Sequence, residues 1–435
     1  MKKTTLTLAM ALSLCLSMPI AADAGQAKIG SPVPPEGETR SSRSGGVTLD
    51  ELIETALRQN PAIQGAKQAA DARHARVSPA ESLPDPTVSF QTMGDFLTLQ
   101  KADPSSGRTY TVEQEIPFPG KLGLKGKIAT AEAEAEDWNH ETARRQVVSD
   151  LKVAYYDLYL IYKSIESVEK SRSLLLDFTK IAESKYRVGT GTQQDVIKAQ
   201  VELSKIVDRL TVLEQRRGIS EARIRSLIYD QSGMPLGKPA DFEKAALRYS
   251  QEELERMAMD NSPKLKVQEK EIDRSLYAVQ LAKKEYYPDF AVSASYVERD
   301  AQKDMSGVMV KAKIPLYFWR NQRQELKGSE LSLSGAQRVR DNVISSLSYE
   351  VKNGYILASG SQRLVELYGS TLLPQARLSV ESALASYQVG SVDFLSLIDT
   401  VVTLLDYEIK HYEALTDFEK ALAQLEPTVG IELTK

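Results

Sequence analysis

Residues 147–182 read VVSDLKVAYYDLYLIYKSIESVEKSRSLLLDFTKIA, and their spacing decides the fold. Apolar side chains recur at Val147, Leu151, Ala154, Leu158, Ile161, Ile165, Val168, Leu175, Phe178 and Ala182, in steps of four and three, with one step missed at Ser171-Arg172. That is the period of a coiled-coil seam. Working outward, no proline occurs from Leu122 to Tyr186, and the only glycines are the early Gly123 and Gly126. The stretch predicts one helix of roughly 65 residues, about 100 Å long at ~1.5 Å per residue. The chain then turns at Val188-Gly189-Thr190-Gly191-Thr192, and Val196, Ala199, Leu203, Ile206, Leu210 and Leu213 carry the same seam back. Two long helices are expected to pack antiparallel.

The same order of elements occurs twice. Asn60-Pro61 matches Ser262-Pro263 at a separation of 202, Asp85 to Ser89 matches Asp289 to Ser293 at 204, and Ile116-Pro117 matches Ile314-Pro315 at 198. Lys152 and Tyr155 match Lys352 and Tyr355 at 200, and Tyr186-x-Val188-Gly189 matches Tyr387-x-Val389-Gly390 at 201. Five matches in one order indicate an internal duplication. The expected division is a leader at 1–24, a flexible Ser, Gly and Pro-rich lead at 25–47, a first repeat at 48–230, a linker at 231–248, a second repeat at 249–430 and a tail at 431–435. Each repeat opens with a helix of about thirty residues. In the first copy this helix is expected to start on a Thr48/Glu51 capping box and run to Pro84.

Short strands follow. Tyr110, Val112, Gln114 and Ile116 alternate with Thr109, Thr111, Glu113 and Glu115, and Val308, Val310, Ala312 and Ile314 alternate with Met309, Lys311 and Lys313. One face is apolar and the other polar, which suits a half-buried hairpin and equally a membrane strand between lipid and a wet lumen. On the second reading Tyr110, Val112, Val308 and Val310 face lipid, while Thr111, Glu113, Lys311 and Lys313 face the lumen. Four strands cannot close a barrel and open edges are not tolerated in lipid, so a membrane form requires several copies of the chain.

The N-terminus opens with Lys2-Lys3, an apolar run from Leu6 to Ile20 and small residues at Ala22-Asp23-Ala24, a secretory signal with cleavage expected before Gly25. Cys15, the only cysteine, lies inside it after Leu14, so neither a lipid anchor nor a disulfide is expected. Fifty-five Lys and Arg against 59 Asp and Glu are intermixed, for a net charge of −4, which argues against nucleic acid as a partner. Past the leader no apolar run is long enough for a transmembrane helix. His74, His140 and His411 are scattered, with no metal-spaced pair, and Gly120, Gly123 and Gly126 with Lys121, Lys125 and Lys127 miss the phosphate-loop spacing and suit a strand-to-helix corner. No enzyme, cofactor or metal site is expected.

The residues Leu49-Asp50-Glu51 through Asn60-Pro61, Gln114-Glu115-Ile116-Pro117, Lys313-Ile314-Pro315-Leu316, Tyr186-Arg187-Val188-Gly189 with Asp195-Val196, and Tyr387-Gln388-Val389-Gly390 with Asp399 give the chain its resemblance to the TolC-like outer-membrane efflux proteins. The resemblance covers about Thr48 to Gly430. It implies a mainly α fold with a small β part, in which duplicated coiled-coil helices build an α-barrel and four strands per chain join a trimeric twelve-stranded β-barrel. It also implies outer-membrane lipid around the barrel, a periplasmic helical tunnel, and docking to an inner-membrane pump through a periplasmic adaptor protein. By the same resemblance Gly189, Gly191 and Gly390 mark the periplasmic tip, and Tyr186, Arg187, Asp195, Tyr387, Ser396 and Asp399 are candidates for the gate there. Arg187 is the expected donor to the acids, whose alternative role is to complement a helix dipole, a role that suits Asp195 better than the deeper Asp399. The wording Ile116-Pro117-Phe118-Pro119-Gly120-Lys121 and Asp393-Phe394-Leu395 is most similar to heavy-metal exporters, although drug and protein-secretion channels share the architecture. A periplasmic coiled-coil adaptor or scaffold is the alternative of a different class.

Overall fold

The computed structural model describes residues 46–93, 107–233, 236–299 and 302–434. The expected leader, and the lead up to Gly45, lie outside the described residues. In chain order the elements are α1 (Leu49–Gln59), α2 (Pro61–His74), α3 (Val77–Glu81), β1 (Thr87–Met93), β2 (Gly107–Ile116), α4 (Lys121–Arg187) and α5 (Gln193–Ile228). The order then recurs as α6 (Gln251–Asn261), α7 (Pro263–Lys284), β3 (Asp289–Arg299), β4 (Met305–Lys313), α8 (Gln322–Leu367), a π-helical turn (Tyr368–Leu372), α9 (Leu373–Gln388) and α10 (Phe394–Val429).

The expected single opening helix is in fact three, α1 to α3. Its first break is the Asn60-Pro61 dipeptide: a residue before proline is pushed to extended backbone, and Asn60 sits at φ −64°, ψ 122°. Pro61 then starts α2, where its missing N–H costs nothing. Asn60 Oδ1 caps α2 by accepting from the Ala62 N–H at 2.8 Å, and its Nδ2 donates to the Leu227 carbonyl at 2.7 Å. Ser262-Pro263 makes the same break between α6 and α7. Nor does Thr48 cap α1 with its side chain. The second copy does form its box, with Ser250 Oγ accepting from the Glu253 N–H and Glu253 from the Ser250 N–H.

The helix α4 is continuous over 67 residues. The step missed in the sequence is filled by Ser171, which is buried like the apolar seam residues on either side. Leu175, Phe178 and Ala182 of α4 pack with Ala199, Ile206 and Leu213 of α5 and with Leu397, Ile398, Val401 and Leu405 of α10 to form a tip-side core. Nearer the strands two further cores mirror each other. Leu52 and Ala56 of α1 lie against Leu151, Tyr155 and Leu158 of α4, and Leu254 and Ala258 of α6 lie against Val351, Phe418 and Leu422. The inter-repeat stretch is bound to this level: Val47 bridges Pro239, Tyr155 Oη donates to the Val47 and Ala240 carbonyls, and the Ala245 N–H donates to Glu419 at 2.8 Å. Residues from Gly46 onward form one compact unit.

The strands make one antiparallel sheet in the order β1-β2-β3-β4, leaving β1 and β4 as its edges. Val88↔Val112↔Ala294↔Val308 and Phe90↔Tyr110↔Tyr296 are rows of one face, and Val292 pairs with Val310 on that face. Thr111↔Ser295, Glu113↔Ser293 and Ala291↔Lys311 line the other, where Lys311 pairs with Glu113. Tyr110, Val112, Val308 and Val310 therefore share one face, and Thr111, Glu113, Lys311 and Lys313 share the opposite one. The apolar face is bare, Val88 being 75% and Val308 76% exposed. Sheet and helices are joined at the corner after β2, where Gly120 takes φ 89° and the buried Lys121 ion-pairs with Glu285 and Asp289, each at 2.9 Å. Among the described residues no helix is long and apolar enough to cross a membrane.

Candidate functional site at the helical tip

The end of the helices remote from the sheet is built twice from the same parts. After α4 the Thr190 and Gly191 N–H groups return to the Lys185 carbonyl, and Gly189 takes φ 75°. After α9 the Ser391 N–H returns to the Ser386 carbonyl, and Gly390 takes φ 79°. Both are left-handed C-terminal caps that favour glycine. Gly191 serves differently: a Cβ there would lie 2.9 Å from Lys185 Cβ and 3.1 Å from the Tyr186 nitrogen.

The returning helices are capped in different ways. Thr192 Oγ1 accepts from the Asp195 N–H at 3.2 Å and Asp195 Oδ2 from the Thr192 N–H at 3.3 Å, a reciprocal box. In the second copy Asp393 Oδ1 accepts from the Ser396 N–H at 2.9 Å. Hydrogen bonds from the Ser396 hydroxyl and from its N–H hold the Asp393 carboxyl below its ordinary range. Within the chain, Asp195 thus acts as a helix-start residue.

The expected Arg187 partnership is not formed within the chain. Arg187, Tyr186 and Asp399 are exposed, and none of their side chains makes a hydrogen bond or ion pair with another described residue. The contact that links the two turns belongs to a residue the sequence did not single out. Lys185 Nζ donates to the Tyr387 carbonyl and stands 4.2 Å from the centre of the Tyr387 ring. Tyr387 is buried, its ring lies 5.4 Å from that of Phe394, and its hydroxyl has no hydrogen-bond partner among the described residues. Burial, helped by the negative charge of Asp195, pushes that phenol above its ordinary pKa. One cation therefore clamps a residue some two hundred positions away, in the second copy of the same turn. The only signal for it was a lysine directly before Tyr186.

Among the described residues no group of three or more His, Cys, Asp or Glu is arranged to hold a metal ion. A cavity of about 770 Å³ lies near mid-length between α4, α5, α8 and α10. On its wall Lys264 pairs with Glu350 at 3.1 Å and Arg223 with Asp150 at 3.9 Å.

Comparison with known proteins places these features. The chain is similar to the cobalt-zinc-cadmium resistance protein CzcC of Cupriavidus metallidurans, at 21% identity over 396 residues, covering 89% of this chain and 91% of that protein. Its fold is that of the outer membrane protein VceC of Vibrio cholerae, with a TM-score of 0.75 at 16% identity, covering 88% of this chain and 96% of that one. CusC, whose structures concern folding and transmembrane channel formation, gives a TM-score of 0.75 at 14% identity, covering 88% and 92%. The model of the outer membrane efflux proteins matches twice, over residues 52–228 and 254–430, once for each copy of the duplicated elements. By those two matches, which together take in most of the sequence, the chain belongs to the outer membrane efflux protein family.

Proposed function

We propose that three copies of this chain assemble into one exit duct: a closed twelve-stranded barrel in the outer membrane continued by a helical tunnel through the periplasm. The observation that carries this reading is the four-stranded sheet, with two unpaired edges and a bare apolar face, mounted on helices about 100 Å long. Such a sheet is stable in lipid only when its β1 and β4 edges meet those of other copies. The outer helices support the same assembly. Tyr349, Ile356, Leu357 and Leu364 leave an apolar row exposed on α8, and Ile197, Val201, Val212 and Ile219 leave one on α5.

In this reading the Lys185 clamp, Tyr186, Arg187, Asp195, Tyr387, Ser396 and Asp399 form the periplasmic gate, with Asp399 and Arg187 free to pair across copies. The exposed Val188 and Val389 at the turns offer the docking point for a periplasmic adaptor and, through it, an inner-membrane pump. The likeness to CzcC supports divalent heavy-metal cations as cargo. The duct itself holds no energy source, so it conducts passively what the pump delivers.

The test is chemical cross-linking of the membrane-extracted protein followed by single-channel recording in a planar bilayer. The expected result is a species of three chains with a low-conductance closed state. Asp195→Ala, Asp399→Ala and the pair are expected to raise conductance and weaken cation preference, most in the pair. A monomer that forms no channel overturns the duct. Wild-type conductance and selectivity in all three variants remove the acids from the gate.

A further inference from the structure

The second copy carries on its long helices a turn that the first lacks. Where α4 passes uninterrupted, the helix from α8 to α9 contains a π-helical turn, Tyr368–Leu372. Pro374 accounts for it: proline has no N–H to offer the Ser370 carbonyl and its ring crowds that oxygen, so the preceding turn widens. The turn separates α8, whose Val351 and Ala358 belong to a strand-side core, from α9, whose Val380 belongs to the tip-side core. Against it rests His411 of α10. A Cβ placed on Gly369 would lie 3.2 Å from His411 Cε1, so this glycine is what admits the ring. One edge of the imidazole hydrogen-bonds the Val365 carbonyl, yet its buried Nδ1 has no hydrogen-bond partner among the described residues.

Several charged and titratable groups near this contact have partners of their own. Lys163 of α4 pairs with Asp241 at 2.8 Å and stands 5.9 Å from the centre of the Tyr412 ring. Arg209 of α5 pairs with Asp406 and Arg377 of α9 with Glu408. Tyr368 of the π turn lies against Tyr407, and Tyr412 against His411 itself. Among the described residues no carboxylate accepts a hydrogen bond from Nδ1.

We propose that the π turn and His411 form a proton-sensitive hinge, closed while the imidazole is neutral and loosened when it is charged, through which α9 and the tip swing relative to α8. A charged imidazole would bury an N–H without an acceptor, which is costly unless the contact opens to water or to the carbonyls left unbonded by Pro374. Burial holds the His411 pKa below its ordinary value, so the closed contact prefers the neutral ring. The sign follows: the contact is fully favourable above the ordinary histidine pKa and weakens as pH falls through the lowered one. Only the second copy carries this turn, so the two coils of one chain would respond unequally to acid.

Hydrogen exchange of the full chain in detergent tests this independently of the channel reading. After correction for intrinsic rates, amides from Tyr368 to Leu373 are expected to lose protection between about pH 7.5 and about pH 5, the range in which histidine titrates. His411→Gln and His411→Phe, neither of which takes a charge, are expected to show no such loss. Gly369→Ala, which presses on the ring, is expected to show it already at neutral pH. A wild-type profile that does not change with pH, or one that persists in both His411 variants, overturns the hinge.

Discussion

Lys185 grips Tyr387 through a carbonyl and a ring face, while the Tyr387 hydroxyl grips nothing. The two halves of that residue should therefore respond differently to substitution. Lys185→Ala removes the donor and the cation over the ring, a loss of about 1–2 kcal/mol for a partly buried pair, and is expected to raise single-channel conductance. Tyr387→Phe keeps the ring and the carbonyl and is expected to leave conductance at the wild-type level. Equal effects of both substitutions would move the lock from the cation to the phenol. A second residue is sensitive to pH. Burial pushes the Glu419 carboxyl up to about 7, while its oxygen accepts from the Ala245 N–H. The folded protein thus holds this proton more tightly than the unfolded chain, whose carboxyl titrates near 4.5. Stability from this group is complete below that value and is lost as pH rises through about 7, by at most about 3 kcal/mol. Glu419→Gln, which keeps an acceptor for Ala245, is expected to flatten the decline in melting temperature between about pH 5 and about pH 8; an unchanged slope would assign the decline to other groups.

Among the elements, the strands carry the sharpest commitment, because their register sorts every side chain onto one of two faces. With Val310 beside Val292 on the bare face and Lys311 beside Ala291 on the polar one, Val310→Arg is expected to cost about 2–4 kcal/mol and to reduce assembly, whereas Lys311→Leu assembles normally. Heat-resistant oligomer on a gel is the readout, and the reverse pattern would mean that the polar face meets the lipid. The long helix α4 is set by its uninterrupted seam, and the opening helices are cut where Asn60-Pro61 and Ser262-Pro263 require it. Those dipeptides were visible as a repeat before they were visible as breaks, since a proline at the first helical position is compatible with a helix starting there but not with one passing through.

In the assembled molecule, the exposed apolar rows on α5 and α8 are the surfaces with most to lose in isolation. Ile356→Asp and Ile219→Asp are each expected to shift the extracted protein from three chains to one by light scattering, with the helical circular dichroism of the single chain kept. Retention of three chains in both variants would confine the copy-to-copy contact to the strands. The family match over both halves agrees with a duplication in which each copy supplies two strands and a pair of long helices. The copies are not equivalent in detail. Lys152 is buried on Glu426 at 2.6 Å, and the same glutamate accepts from the Leu433 and Thr434 N–H groups, while Lys352, its counterpart in the repeat, is exposed. The stretch after α10 reaches Lys152, whose ammonium also donates to Thr434 Oγ1 at 2.7 Å.

The sequence by itself determined the coiled-coil period, the antiparallel return at Gly189, the two faces of the strands and the duplication, because each rests on interactions within a few residues: side-chain spacing, glycine at positive φ, and proline without an N–H. Tertiary structure alone decided that Lys185 and not Arg187 bridges the turns, that Thr48 leaves its helix start without a side-chain cap, that Ser171 fills the seam, and that Glu419, Glu426 and the Nδ1 atom of the half-buried His411 are shielded from water. These depend on which helices lie side by side and at what height, and residues brought together from some two hundred positions apart carry no mark of that meeting in their own neighbourhoods.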